Sequence, residues 1–149
     1  MIKKLYTVLL FLATFPAFSQ SDIIKNGIGF GCSASASYSL PVQHMTRLLI
    51  NRENQAIRKL LYSKKPANQF LAVFVMEKLK RKRKMILNAK EVERIPQIKN
   101  STQTVGICLG CSYWDKVPLN VLFEKLKKHS QYLGGKDWFR HHYKYFYNR

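Results

Sequence analysis

Cys108-Leu109-Gly110-Cys111 is the local pattern in this chain whose residue types and spacing could carry a reaction. Two thiols separated by two residues can close a small disulfide ring. They exchange it with other thiols when one thiolate is stabilised. That chemistry needs the first cysteine at the end of a strand, opening a helix. Val105 to Ile107 reads as a short extended piece, but the next helix starts only near Pro118. A structural bridge is therefore the preferred reading, with Cys32, Cys108 and Cys111 all candidates. Three single bridges are open, 32–108, 32–111 and 108–111, and an odd count leaves one thiol over.

Other chemistries find less support. A four-ligand zinc shell would need the three cysteines plus one of His129, His141 or His142, and their spacing lacks the tight pairs of zinc modules. No metal ligand and no cofactor is expected. The eight acidic residues are scattered, and Glu91 and Glu93 point to different sides of a helix. There is no Gly-rich phosphate loop, nucleophile elbow or His-Glu-x-x-His string. No catalytic residue is expected.

Charge is the outlier of the composition. Lys plus Arg number 26 against 8 Asp plus Glu, a formal charge of +18. Such an excess draws polyanions without selecting among them. Residues 78–84 concentrate it: Lys78, Lys80, Arg81, Lys82, Arg83 and Lys84 are the candidate polyanion-binding residues. The plainer reading of such a run is a solvated helix end. The expected partner is anionic (nucleic acid, anionic lipid or glycan), or else another exported protein.

The start of the chain gives an address. Lys3 and Lys4 precede an apolar run from Leu5 to Phe18, and Ala17-Phe18-Ser19 offers small residues for a signal peptidase. The expected product is exported, and is periplasmic or secreted after cleavage. No other apolar run is long enough to span a bilayer, so the mature chain is expected to have no transmembrane segment. The expected layout is a signal peptide over 1–19, an irregular Gly/Ser-rich leader over 20–40, a helical domain over 41–133 and an aromatic, basic tail over 134–149.

Helical spacing organises the middle. Pro41 suits a first turn, and Val42, Met45 and Leu49 follow on one face. Ile57, Leu60 and Leu61 mark a second helix. Pro66 restarts the chain into a third, whose Phe70, Leu71, Phe74 and Val75 form a stripe widened by Ala72, Val73 and Met76. A helix apolar on most sides belongs at the centre of a bundle. Asn88 and Glu91 have capping-box spacing, with Pro96 ending or kinking the helix they open. After Pro118, Leu119, Leu122, Phe123 and Leu126 mark another, stopped by Gly134-Gly135. In the tail, Phe139, Tyr143 and Phe146 would share one helical face and pack onto the bundle.

The unit Ile57-x-x-Leu60-Leu61, a turn at Pro66, then Phe70-Leu71-Ala72-x-x-Val75-x-x-x-Leu79 resembles one helical hairpin of the HEAT/armadillo type, over about residues 53–80. The resemblance implies paired helices there. Gly31-Cys32 with Cys108-Leu109-Gly110-Cys111 is also similar to small exported bacterial proteins that carry these two cysteine signatures. That likeness implies no activity.

The fold class expected is mainly α: a small irregular bundle of about five helices, with the Gly/Ser leader and a cysteine-tethered loop. The function expected is non-catalytic binding through a basic face. The alternative is a periplasmic thiol–disulfide oxidoreductase using Cys108 and Cys111.

Overall fold

The computed structural model describes residues 15–32, 34–110, 113–129 and 132–147, with nothing to be said of the side chains of residues 15–20, 132 and 146. The first fourteen residues of the expected signal peptide, Cys111, and the Phe146 side chain fall outside it.

The architecture is mainly helical. In chain order the elements are α1 (Phe15–Asn26), β1 (Ile28–Cys32), α2 (Leu40–Ile50), α3 (Asn54–Lys59), α4 (Pro66–Arg81), α5 (Ala89–Lys99), β2 (Thr104–Gly110), β3 (Tyr113–Pro118), α6 (Leu119–Lys128) and α7 (Gly135–Tyr147). Short 3-10 turns cover Leu60–Tyr62 and Tyr132–Gly134. Seven helices among the described residues replace the five or so expected, because α1 and α7 add to the five read in the middle of the chain. No helix among the described residues is long and apolar enough to cross a membrane.

A three-stranded sheet, ordered β1-β2-β3, lies beside the helices. β1 runs parallel to β2, with Ile28 opposite Ile107 and Gly29 opposite Cys108. β2 and β3 form an antiparallel hairpin from Thr104 opposite Pro118 to Leu109 opposite Tyr113. The segment 20–40, read as irregular, is therefore corrected over much of its length: it closes α1 and supplies β1. Ser39 braces that strand. Its buried hydroxyl donates to the Gly27 carbonyl at 2.9 Å and accepts from the Gly29 amide at 3.1 Å.

The core forms where the spacing places it. Along α4, Phe70, Leu71, Ala72, Val73, Val75, Met76 and Leu79 are all essentially sealed from solvent. Burying each large side chain contributes about 1.5–3 kcal/mol, so this helix dominates the apolar stabilisation. Val42, Met45 and Leu49 of α2, Ile57 and Leu61 complete one face of the cluster, and Ile98, Ile107, Leu119 and Leu122 another. Pro96 sits inside α5 without ending it.

α5 begins at the expected capping box. The Asn88 side chain accepts from the Glu91 amide at 3.0 Å, and the Glu91 carboxylate accepts from the Asn88 amide at 2.9 Å. The same carboxylate, 2% exposed as a residue, forms an ion pair with Arg58. Arg58 also donates to the Ile86 carbonyl at 2.6 Å. One guanidinium thus joins α3 to both the start of α5 and the loop before it.

The aromatic tail packs as a helix. Trp138, Phe139, Tyr143 and Tyr147 are buried along α7. The Trp138 indole donates to the Thr46 hydroxyl at 2.9 Å, fixing α7 against α2. His142 lies edge-on to Trp138 and Tyr38, with centroids 5.8 and 6.3 Å away. Its Nε2 is buried with no hydrogen-bond partner among the described residues. Burial first, and then the charge of His141, hold its pKa below the ordinary value of 6.5.

The sign of the resulting pH dependence follows. Between the lowered pKa and 6.5 the unfolded chain binds more protons than the folded one at this site. Stability is therefore fully present above pH 6.5 and is lost as pH falls through the lowered pKa. His142→Gln should flatten urea midpoints measured between about pH 5 and 7 relative to the parent. An unchanged slope would remove His142 as the cause.

Candidate functional site

The cysteines come first, because they held the only chemical motif. Of the three pairings the sequence permits, the structure brings Cys32 and Cys108 to disulfide distance, with Cα atoms 5.7 Å apart. Both residues are 1% exposed, and they sit in a small cluster with Ile23 and the partly buried Trp114. A thiolate that exchanges with substrate must be reachable, and Cys108 is not. Among the described residues no group of three His, Cys, Asp or Glu side chains could hold a metal ion.

Gly29 makes the pair possible. A Cβ there would collide with both sulfurs at once. Gly106 has a related role, since a Cβ on it would lie 2.6 Å from Cγ1 of Ile23. The glycines at these two positions give room to the sulfurs and to α1, not looseness to the chain.

The basic face is where charge converges. α4 ends in Lys78, Lys80 and Arg81, which suits the negative end of its dipole. That accounts for the cations of one helix but not for those opposite. Lys136, Arg140 and Lys144 of α7 recur at i, i+4 and i+8 and line an open groove of about 690 Å³ with Lys78, Arg81 and Lys82. Its apolar floor is Phe139 and Tyr143. A second groove of about 850 Å³ shares Lys78, Arg81 and Lys136, and reaches Lys80, Lys99 and Lys127 past Phe74 and Phe123.

Aromatic faces hold some of these cations in place. The Lys82 ammonium lies 4.3 Å from the Tyr143 ring centroid, and that of Lys78 lies 4.7 Å from Phe74 and 5.6 Å from Phe139. Such contacts stabilise a lysine head while its stem covers apolar surface. They also occupy the ring faces, so Phe74, Phe139 and Tyr143 are poorly placed to stack on bases.

Lys78 records the electrostatic cost. Burial, then the charges of Arg81, Lys136 and Lys82, push its pKa below the ordinary 10.5, and Glu77 opposes them only weakly. The Glu77 carboxylate is engaged by Lys99 at 2.8 Å. Among the described residues no carboxylate forms an ion pair with Lys78, Arg81, Lys82 or Lys136. Asp137 pairs instead with Arg140, a lining residue of the smaller groove, and both side chains are exposed.

The sequence-derived set is thus partly assembled. Lys78, Lys80, Arg81 and Lys82 line the grooves. Arg83 and Lys84 are exposed beyond the end of α4 and line neither. Lys136, Arg140 and Lys144 were missing from that set, although their four-residue spacing in a helical tail was a readable signal. No protein family, curated protein or solved structure matches the chain.

Proposed function

We propose that this is an exported, non-catalytic protein that binds a polyanion in the paired basic grooves between α4, α5 and α7. The observation that carries the reading is Lys78. It is half-buried, its charge is disfavoured by three neighbouring cations, and no carboxylate pairs with it. A concave face in which Lys78, Arg81, Lys82 and Lys136 have no paired carboxylate among the described residues gains most from an anion supplied from outside.

Export rests on the residues of the expected signal peptide, Lys3 to Ser19. The expected cut after Ser19 falls within α1 but leaves Ile23, 2% exposed, on the mature side. Cleavage would therefore keep the apolar contact that docks this segment. Intact mass of the secreted product locates the new N-terminus. A product retaining Met1 would refute export.

The binding test uses single-stranded DNA as a stand-in polyanion. Engaging six cations predicts a slope of about −4 for log affinity against log salt concentration. Replacing Lys82, Lys136 and Lys144 together by Gln should reduce that slope by about 2. Affinity that is the same at low and high salt would reject the proposal.

A further inference from the structure

Ile86 does not fit a face built only for a polyanion. It is 88% exposed, the most exposed of the large apolar side chains described. Two peptide units separate it from Lys84, which keeps their Cα atoms within about 7 Å. Lys82, Arg83 and Lys84 are exposed on the same short connection between α4 and α5.

This connection is not a slack loop. Met85 is buried beneath it, and Leu87 is half-buried and lines the larger basic groove. Arg58 holds the Ile86 carbonyl at 2.6 Å while engaging the buried Glu91. The Lys84 amide donates to the Leu79 carbonyl at 2.9 Å, closing the end of α4. The backbone therefore presents Ile86 outward from a fixed position. Val92, 53% exposed, lines the same groove as Leu87, Lys80 and Arg81.

We propose that the face is a peripheral docking surface for an anionic lipid bilayer. The cations meet the headgroups, and Ile86 enters the interface beside them. This rests on the polyanion reading above and names the kind of polyanion. An aliphatic side chain in water gains nothing from a nucleic-acid backbone or an acidic glycan. At an anionic bilayer, buried apolar area and basic charge reinforce each other. The aromatic rings point the same way. Those beneath the cations are covered by lysine ammonium groups and unavailable for base stacking, so single-stranded nucleic acid loses its usual second contribution.

The test compares the purified protein and Ile86→Ser in three binding assays. The probes are vesicles of phosphatidylcholine alone, vesicles of equal parts phosphatidylcholine and phosphatidylglycerol, and single-stranded DNA. The parent should sediment with the mixed vesicles and not with phosphatidylcholine alone. Ile86→Ser should lose about fivefold to tenfold in vesicle partition and keep its DNA affinity. The substitution is at an exposed position, so its fold should be unchanged by circular dichroism. Ile86→Trp supplies a second readout: its emission should shift to the blue on adding mixed vesicles.

Equal partition of Ile86→Ser and parent, or an Ile86→Trp spectrum unmoved by vesicles, overturns the lipid proposal and leaves the polyanion reading intact. Binding of DNA without binding of mixed vesicles does the same and turns the face toward nucleic acid. Binding of neither probe by the parent rejects both.

Discussion

Gly29→Ala is expected to give a protein in which Cys32 and Cys108 are unbridged. The new methyl would occupy the space of both sulfurs, and neither can retreat within a cluster sealed by Ile23. β1 cannot step aside easily either. Gly29 sits opposite Cys108 in the parallel ladder, and its amide is held by Ser39. The bridge spans a sequence separation of 76 residues, for which the chain-entropy argument gives about 4–5 kcal/mol. Overpacking adds about 1–3 kcal/mol if the strand is forced apart. Alkylation in denaturant without prior reduction, read by mass, should then label both cysteines. The urea midpoint should fall at least as far as that of the Cys32→Ser/Cys108→Ser double variant. A Gly29→Ala protein with its bridge intact and an unshifted midpoint would contradict the packing described.

Arg58→Ala should be nearly as damaging, through electrostatics. Glu91 has a side chain only 3% exposed, and Arg58 is its ion-pair partner. Removing the guanidinium leaves a buried carboxylate with the Asn88 amide as its remaining donor, and frees the Ile86 carbonyl. Losing one partner of a buried pair costs about 3–5 kcal/mol. For a chain of this size that lowers the melting temperature by roughly 10–20 °C. Removing both partners together, in Arg58→Ala/Glu91→Ala, should recover part of the loss, because no charge is then stranded. Melting of Arg58→Ala within about 2 °C of the parent would show that the pair stabilises little.

The helices were legible in the sequence because their buried positions repeat at helical spacing. Val42-Met45-Leu49 and the wide apolar surface around Phe70 need no knowledge of their neighbours. The capping box of Asn88 and Glu91 is equally local. The sheet was not legible. Ile28-Gly29-Phe30-Gly31-Cys32 has glycine where a strand usually carries side chains, and Gly29 answers to a partner, Cys108, more than seventy residues away. Tyr113–Pro118 alternates weakly, because only Val117 of its residues is fully buried at the sheet edge. In the tail, Phe139 and Tyr143 are buried as the spacing suggests, and Tyr147 continues the row. The basic site was half legible. A run of adjacent charges shows on one line of sequence, whereas the matching stripe on α7 matters only once the two helices face each other.

The bridge has a consequence for how the molecule breaks. The helices α2 to α5 all lie between Cys32 and Cys108 in the chain, so the segment that carries Phe70, Leu71 and Met76 is part of a covalent ring. A protease that cuts the exposed connection around Lys82 to Lys84 opens the ring without releasing a piece. The two fragments would travel as one species on a gel run without reductant and separate only when dithiothreitol is added.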